Sequence, residues 1–313
     1  MRPTTIALSA ALLLFAMASH TPVFAQEQGA VPFKVFRIKG SVNVVKPDGT
    51  WRKLKRTIPP GDDIETGEDG EASASGGSNP EIKCTFCPST RATNTADNGV
   101  PSFKLKKGSA FCSVVSKAKR QGIIFKIKTD VGVTGVMGTA FLTSYDEQVE
   151  EMRASVTESN VLLSDVEDKS VVLGPNQEGI IQRWERASFE AVGTGTTERE
   201  ARTAAAESML ELLHGVVITG TTQVRDLVAG KDRMTRQLNA FINRVASVTF
   251  DQPSRGSVEA RMTLDPQAVK DELGKMAGQP ITDTYMLRAQ TGFSADEDRL
   301  VQTFAPSLQS RSN

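Results

Sequence analysis

Two neighbouring stretches decide the fold, Phe125-Lys126-Ile127-Lys128 and Val133-Thr134-Gly135-Val136-Met137-Gly138-Thr139-Ala140-Phe141. In the first, apolar and cationic side chains alternate, which is typical of a β-strand with one buried and one solvated face. In the second, glycines interrupt a run of strand-forming residues, which indicates tight backbone corners. The chain around residue 130 is therefore predicted to be β structure.

The same alternation extends to both sides of these stretches. Further strands are predicted at Val35–Ile38, Val42–Val45, Phe103–Lys106, Val161–Leu163 and Val171–Leu173. Turn signals separate them at Pro47-Asp48-Gly49, Pro60-Gly61-Asp62 and Asp97-Asn98-Gly99. No helical periodicity of useful length interrupts the pattern, so we expect an all-β domain over residues 33–182, built as a sandwich, a barrel or a solenoid-like roll.

The pattern changes after Trp184 and predicts a small α+β domain over residues 187–278. A short strand, Phe189–Val192, and a Gly193-Thr194-Gly195 turn precede a helix that Thr197 and Glu200 cap and Gly215 ends. A second helix has one apolar face, an alternating strand covers 258–264, and Asp265-Pro266 starts a third helix. The apolar face comprises Met234, Leu238, Phe241, Ile242 and Val245. The tail, residues 279–313, is predicted to be polar and partly disordered, apart from a short helix around 296–304. The fold class is thus an α+β mix dominated by strands.

The first 25 residues have the composition of an export signal. Arg2 precedes an apolar run from Ile6 to Ala18, and Val23-Phe24-Ala25 offers a cleavage site before Gln26. The run is shorter than the ~20 residues of a membrane-spanning helix, although an uncleaved anchor is the alternative. No later stretch is long and apolar enough to span a bilayer. We therefore expect a periplasmic or secreted protein whose mature chain has no transmembrane segment.

Three cysteines, Cys84, Cys87 and Cys112, remain in the mature chain. In an oxidising compartment an odd count leaves one thiol free or pairs it with another chain. The spacing of Cys84 and Cys87 matches redox motifs without their βαβ context, and a zinc site would lack a fourth nearby ligand. We expect one structural disulfide, formed either between Cys84 and Cys87 or from that loop to Cys112.

Several segments of the β domain, taken in order, resemble the FecR domain of envelope regulators. They are Gly40-Ser41-Val42, Gly61-Asp62-Asp63-Ile64-Glu65-Thr66-Gly67 with Gly70, Phe125–Thr129, the Gly-Thr-x-Phe signature within 133–141, and Gly174-Pro175-Asn176-Gln177. The resemblance covers about half of the chain and implies a solenoid-like β fold with a signalling or scaffold role and no catalysis. The motif residues Gly61, Asp62, Thr66, Gly135, Gly138, Thr139 and Phe141 are expected to be structural. The anti-sigma segment and membrane helix of such regulators have no counterpart here, so control of a sigma factor across the membrane is not expected.

The α+β domain resembles a domain of small outer-membrane lipoproteins and the N-terminal domain of the flagellar protein FlgT. Val192-Gly193-Thr194-Gly195, the alanine-rich helix 197–213 and the later alternating strand carry this resemblance. A nucleotide site at the glycines is not expected, because the third glycine of a dinucleotide fingerprint is missing and Glu198 and Glu200 would repel a pyrophosphate.

A basic stretch is the candidate binding site. Between Phe103 and Thr129 there are eight basic residues and no acidic one. If 103–106 and 125–128 are strands, Lys104, Lys106, Lys126 and Lys128 share a solvent face, and Lys117, Lys119 and Arg120 lie on the connecting hairpin. Such a face could hold an anionic cell-wall polymer, a lipid phosphate or an acidic protein; a merely solvated strand face is the alternative. Nucleic acid is not expected as a partner in the compartment to which the protein is exported.

Catalytic constellations are scarce. His214 is the only histidine after the export signal, so no Ser-His-Asp or Cys-His site is predicted without it. We expect no enzyme, cofactor or metal; calcium at Asp62, Asp63, Glu65 and Asp69 is a minor alternative without EF-hand spacing. The expected function is an exported binding or scaffold protein of the cell envelope. The alternatives are a ligand-sensing module that signals through a membrane partner and a hydrolase that depends on His214.

Overall fold

The computed structural model describes residues 30–77, 80–115, 122–217 and 231–309, and it is a β-rich α+β protein. The strands are β1 (Phe33–Lys39), β2 (Val42–Val45), β3 (Trp51–Lys53), β4 (Thr57–Ile58), β5 (Asp63–Thr66), β6 (Glu71–Gly76), β7 (Glu81–Phe86), β8 (Arg91–Asp97), β9 (Val100–Val115), β10 (Phe125–Lys128), β11 (Gly132–Val136), β12 (Ala140–Asp146), β13 (Glu151–Val156), β14 (Val161–Asp165), β15 (Ser170–Leu173), β16 (Gln177–Arg183), β17 (Phe189–Gly195), β18 (Val216–Val217), β19 (Ser247–Ser254), β20 (Ser257–Leu264) and β21 (Tyr285–Thr291). The helices are α1 (Glu198–His214), α2 (Lys231–Val245), α3 (Pro266–Ala277) and α4 (Ala295–Gln309), and Trp184–Arg186 forms a single 3-10 turn.

Two large sheets enclose the main core. Sheet A has the strand order β4-β1-β6-β7-β9-β12-β13-β16-β21-β18. Sheet B has the order β3-β2-β5-β8-β9-β10-β11-β14-β15. Strand β9 belongs to both, because its first half pairs with β8 and β10 and its second half pairs with β7 and β12. It bends at Gly108, whose φ is +82°.

The inner faces of the two sheets meet in one hydrophobic cluster. Phe33 and Phe86 of sheet A pack against Phe103 of sheet B, with ring centroids 4.6 and 4.9 Å apart. Such tilted and edge-to-face aromatic contacts stabilise a core beyond the area they bury. The side chains predicted to point inward, Phe103, Leu105, Phe125 and Ile127, are all at most 1% exposed, as their alternation with lysines indicates.

A third sheet, β17-β20-β19, forms a second hydrophobic cluster with α1, α2 and α3. The predicted caps are confirmed: the Thr197 hydroxyl accepts from the Glu200 amide, and the Asp265 carboxylate accepts from the Ala268 amide. Each cap satisfies one of the backbone donors left free at a helix start. The apolar faces expected of α2 and α3 are buried at Leu238, Phe241, Ile242, Val269 and Leu273.

The Gly193-Thr194-Gly195 segment is not the turn that the sequence predicts. Strand β17 continues through it and pairs with β20 as far as Gly195. A Cβ atom at Gly193 would lie 2.1 Å from the Ala205 nitrogen and 2.4 Å from the Ala201 oxygen. The glycine is therefore present because the backbone of α1 packs directly on the strand.

Regular structure extends beyond residue 279, because β21 and α4 lie in the segment that the sequence predicts to be a polar, partly disordered tail. Strand β21 pairs with β16 over all of its seven residues, and α4 is longer than the short helix predicted. Met286 contributes to the second cluster and Leu287 to the first. Because both faces of β21 are buried, its sequence lacks the alternation that marks a half-solvated strand. No helix in the described part of the chain has the length and hydrophobicity to cross a bilayer.

Candidate binding face

One row of side chains crosses six strands on the outer face of sheet B. Each residue of the row is paired in register with the next one on the neighbouring strand. In order across the sheet, they are Trp51, Val45, Asp63, Thr93, Lys104 and Lys128. Paired residues of neighbouring strands point to the same face, and strands lie about 4.8 Å apart, so Trp51 is about 19 Å from Lys104. We call this surface the charged face: the row itself, with Arg91, Lys106, Lys126, Asp97 and Asp130 beside it.

The four lysines predicted to share a solvent face are all on the charged face, and each has a carboxylate partner. Lys106 pairs with Asp63, Lys126 and Lys128 with Asp97, and Lys104 with Asp130. Arg91 also binds Asp63 at 2.8 Å. Five cations thus share three carboxylates. The net positive charge of the charged face is therefore much smaller than the eight basic and no acidic residues of segment 103–129 indicate.

Asp63 is the most deeply buried of these three carboxylates, with its side chain only 8% exposed. It accepts hydrogen bonds from the Lys106 Nζ, the Arg91 Nε and the Thr93 hydroxyl. Burial alone would raise the pKa of Asp63, but the hydrogen bonds from Lys106, Thr93 and Arg91 outweigh it and hold the pKa below its ordinary value. Asp63 is therefore a carboxylate that fixes strands β5, β8 and β9 in their positions.

The Asp63→Asn variant is expected to lose about 1–2 kcal/mol of its free energy of unfolding at pH 7. A larger loss is not expected, because Arg91 and Lys106 are each more than a third exposed and solvent screens their charges. A carboxyl with a lowered folded pKa stabilises the protein above the unfolded pKa of about 3.9, and this contribution is lost as the pH falls through the folded pKa. Urea unfolding of both proteins at pH 7 and near pH 3 measures this, and the difference should shrink at the lower pH. Asp130→Asn, at a carboxylate that is 62% exposed, is the control. An unchanged difference at low pH would contradict the role given to the charge.

Trp51 is the residue that sequence reasoning missed. It lies on β3, at the edge of sheet B, and is 70% exposed. Its outward direction follows from Val44, which points inward, and from Val45, which pairs with Trp51. A large aromatic side chain left in solvent is a typical binding hot spot.

The connection between β9 and β10 is not a hairpin. The two strands run parallel, with Phe103 opposite Ile127, so the chain has to return between them. Lys117, Lys119 and Arg120, predicted on that connection, lie outside the described residues. These three residues are therefore not included in the charged face.

The motif residue Thr66 has a structural role. Its buried hydroxyl donates to the Cys87 carbonyl at 2.6 Å and accepts from the Thr90 amide at 2.8 Å. It ties the end of β5 to the turn between β7 and β8. Nearby, Gly61 donates its amide to the Asn94 carbonyl, and the carbonyl of Asp62 accepts from the Asn94 amide. Burial raises the pKa of the Asp62 carboxyl.

The second half of the motif lies where the chain crosses to β12. Gly135 on β11 packs against Ile123, and Gly138 has a φ of +139°. Thr139 exchanges two backbone hydrogen bonds with Val114, and the Phe141 side chain is fully buried in the main core. These residues hold the fold together and present no reactive group.

Cys84 and Cys112 form the disulfide, directly opposite each other on β7 and β9. Of the two pairings that the sequence left open, the tight Cys84–Cys87 loop is therefore excluded. Cys87 points to the other side of sheet A, where it is buried as a free thiol. Burial raises the pKa of this thiol, and the negative charges of Glu297 and Glu71 raise it further, which is the opposite of an activated cysteine.

The acidic loop 61–71 does not assemble the calcium site kept as an alternative. Asp63 is occupied by Arg91 and Lys106, and the Asp69 carboxylate accepts from the Ser41 amide. In the described ranges no three His, Cys, Asp or Glu side chains group as metal ligands. His214 lies at the end of α1, with its Nε2 3.4 Å from the Thr235 hydroxyl.

The fold and the charged face together define a β-rich module with an ordered, ion-paired outer surface. The family model described as FecR protein matches residues 62–162, about a third of the chain, from the Asp62 turn to β14. This part of the resemblance is thus supported, whereas the FlgT-like resemblance of the second domain is not.

Two solved structures from Parabacteroides distasonis ATCC 8503, each of a provisionally named anti-sigma factor, are similar to the chain. One is 16% identical, with 69% of this chain and 92% of that chain covered and a TM-score of 0.32. The other is 13% identical, with 62% and 96% covered and a TM-score of 0.26. At these TM-scores the likeness carries no argument about fold or function. No curated protein matches the chain.

Proposed function

We propose that this protein is a FecR-type binding module that transmits a signal in the cell envelope by docking a protein partner, without catalysis. The match of residues 62–162 to the FecR protein model supports the signalling class. Export, with a mature chain beginning at Gln26, is part of the proposal and rests on the composition of residues 1–25.

The exposed indole of Trp51, on the same outer face of sheet B as the cations of the charged face, is the observation that carries this proposal. A tryptophan that is 70% exposed contributes little to folding, so it is free to serve recognition. The residual positive charge favours an acidic partner surface and speeds its approach. Because the four lysines of the charged face are already paired with carboxylates, the aromatic anchor supplies affinity and the cations supply orientation.

Trp51→Ala is expected to weaken partner binding roughly thirtyfold, the effect of losing a hot spot of about 2 kcal/mol. Partner binding is measured by cross-linking in intact cells and capture of the tagged protein. Export is tested separately, by mass spectrometry of periplasmic extracts for a mature chain that starts at Gln26. Lys104→Glu should lower capture further at low salt than at high salt, because screening weakens contacts between exposed charges.

Two variants serve as matched controls for this experiment. Phe250→Ala removes another exposed aromatic, 41% accessible, from a different sheet. Lys104→Asp combined with Asp130→Lys reverses an exposed ion pair and leaves the net charge unchanged. If Trp51→Ala and Phe250→Ala reduce capture equally, or not at all, the charged face is not the docking surface.

A scaffold that holds an anionic cell-wall or lipid component is the second candidate, favoured by the excess of cations over carboxylates on the charged face. It predicts that purified protein sediments with an anionic polymer and is released by high salt, independently of Trp51. The pairing of the lysines with Asp63, Asp97 and Asp130 makes this candidate the weaker one.

Two finer features belong to the same proposal. A roll-like path is supported by the way the chain alternates between the sheets, with β1 in sheet A, β2 in sheet B, and β6 and β7 in sheet A again. The kinship of the second domain with small outer-membrane lipoproteins belongs to the proposal and rests on Val192-Gly193-Thr194-Gly195 and the alanine-rich helix 197–213.

A further inference from the structure

Strand β3 is an open edge of sheet B, because among the described strands only β2 pairs with it. Just beyond β3, the Leu54 amide donates to the Val42 carbonyl. Hydrogen-bonded and non-hydrogen-bonded pairs alternate along an antiparallel ladder, so Trp51 and Lys53 direct their backbone N–H and C=O groups away from β2. Both residues are exposed. Their backbone groups are therefore available to a further strand.

The chain around this edge is strongly basic. From Lys46 to Ile58 there are five basic residues and a single acidic one, Asp48. All five basic residues are exposed: Lys46, Arg52, Lys53, Lys55 and Arg56. We call these five residues, together with Trp51, the β3 edge. None of its cations forms an ion pair with a described carboxylate, whereas the four lysines of the charged face each form one.

The carboxylates near the β3 edge are too few to neutralise it. Asp48 lies in the turn between β2 and β3 and accepts hydrogen bonds from the amide and the hydroxyl of Thr50. Arg52 and Lys46 act on Asp62 from a distance and lower its pKa, although burial outweighs them and raises it. Glu65 is separated from Lys53 by the intervening strand β2. The β3 edge therefore keeps a net positive charge.

The cations of β3 lie on both sides of its free backbone groups. Trp51 and Lys53 point to the outer face of sheet B and lie about 7 Å apart, because side chains two residues apart share a face. Arg52 points to the opposite side, since it pairs with the fully buried Val44. A strand placed alongside β3 would thus contact an indole and an ammonium group on one face and a guanidinium group on the other.

Charged side chains on an edge strand ordinarily prevent it from pairing with other strands. Here a second copy of the β3 edge would be repelled, because like charges placed opposite each other are destabilising. An acidic strand would instead be attracted by the same cations. The charges therefore exclude neutral and basic strands and select an acidic one.

We propose that the β3 edge receives an extended acidic segment of the partner protein, which adds to sheet B as a further strand next to β3. Its backbone pairs with the N–H and C=O groups of Trp51 and Lys53. Its carboxylates face Lys53 on one side and Arg52 on the other, and the indole of Trp51 covers an apolar side chain of the segment. This inference rests on the proposed function, because it names the chemistry of the partner that docks there.

The test measures the anisotropy of a fluorescein-labelled heptapeptide of alternating glutamate and valine with the purified protein. Lys53→Pro is expected to weaken binding about tenfold relative to Lys53→Ala. Proline removes the free N–H, which makes no native hydrogen bond because it points away from β2. Alanine removes the same ammonium group and keeps the N–H. The comparison therefore isolates the added backbone pairing from the charge.

A charge reversal tests the selection of an acidic strand. Lys53→Glu combined with Lys55→Glu should weaken binding of the glutamate peptide at least about tenfold and create binding of the same peptide with lysine in place of glutamate. Lys275→Glu, at a side chain that is 72% exposed on α3, is the matched control and should leave both affinities unchanged. Equal urea midpoints of the variants show that the fold is retained.

Three outcomes would overturn the inference: no binding of the glutamate peptide, equal binding of the glutamate and lysine peptides to the unaltered protein, and equal binding to the Lys53→Pro and Lys53→Ala variants. The last would mean that charge alone holds the peptide.

Failure of the added strand is distinguishable from failure of the proposed function. Partner capture that depends on Trp51, but that Lys53→Pro and Lys53→Ala lower equally, would keep the docking function and overturn the added strand. Capture that does not depend on Trp51, with a peptide that still distinguishes the two Lys53 variants, would overturn the docking function and leave the acidic-strand site.

Discussion

Replacing Gly193 by alanine is expected to lower the stability of the small α+β unit by about 3 kcal/mol or more. The added Cβ would collide with backbone atoms of α1 at Ala205 and Ala201, which no side-chain rotation can relieve. Helix α1 would have to move away from β17, and the buried contacts of Ala201, Ala205 and Met209 would loosen together.

The two tryptophans make this measurable. In a Trp51→Phe background the fluorescence comes from Trp184, which is buried in the second cluster near Phe189. Its urea transition should shift to lower concentration in the Gly193→Ala variant. Gly174→Ala is the matched control, because its Cβ would meet nothing closer than 3.6 Å. Equal transitions for both variants would show that α1 does not need the close approach.

Loss of the Cys84–Cys112 disulfide should have an effect of similar size on the main β domain. The cross-link closes a loop with a sequence separation of 28 residues, for which the chain-entropy estimate is about 3.5 kcal/mol. Both cysteines are fully buried in the core between the sheets. Unfolding in urea, with and without a reductant, should therefore give a clearly lower midpoint for the reduced protein.

The free cysteine supplies the control for this second prediction. Cys87→Ala removes one sulfur from beneath α4 and leaves the cross-link intact; it should cost about 1 kcal/mol, as a small cavity does. The double variant Cys84→Ala with Cys112→Ala should match the reduced protein. If reduction leaves the midpoint unchanged, the disulfide adds nothing beyond the packing of β7 on β9.

For the charged face, the sequence predicts the direction of the side chains but not their ion-pair partners. The alternation at Phe103–Lys106 and Phe125–Lys128 correctly predicts which side chains point inward and which outward. It does so because successive side chains of a strand point to opposite faces of the sheet, whatever the neighbouring strands are. The carboxylates that neutralise the lysines come from distant positions: Asp63 is 43 residues from Lys106, and Asp97 is 29 from Lys126. Trp51 was overlooked for the same reason, since its place in the row depends on the register of β3 with β2.

The sequence by itself determined the local features of this protein: the alternating strands, the caps of α1 and α3 at Thr197 and Asp265, and the apolar faces of the helices. Each depends on residues within one or two turns of each other. Only the tertiary structure decided the partner of Cys84, the burial of β21 on both faces and the position of α4 over Cys87. These depend on which strands become neighbours, and that choice is made by burying apolar surface across the whole chain.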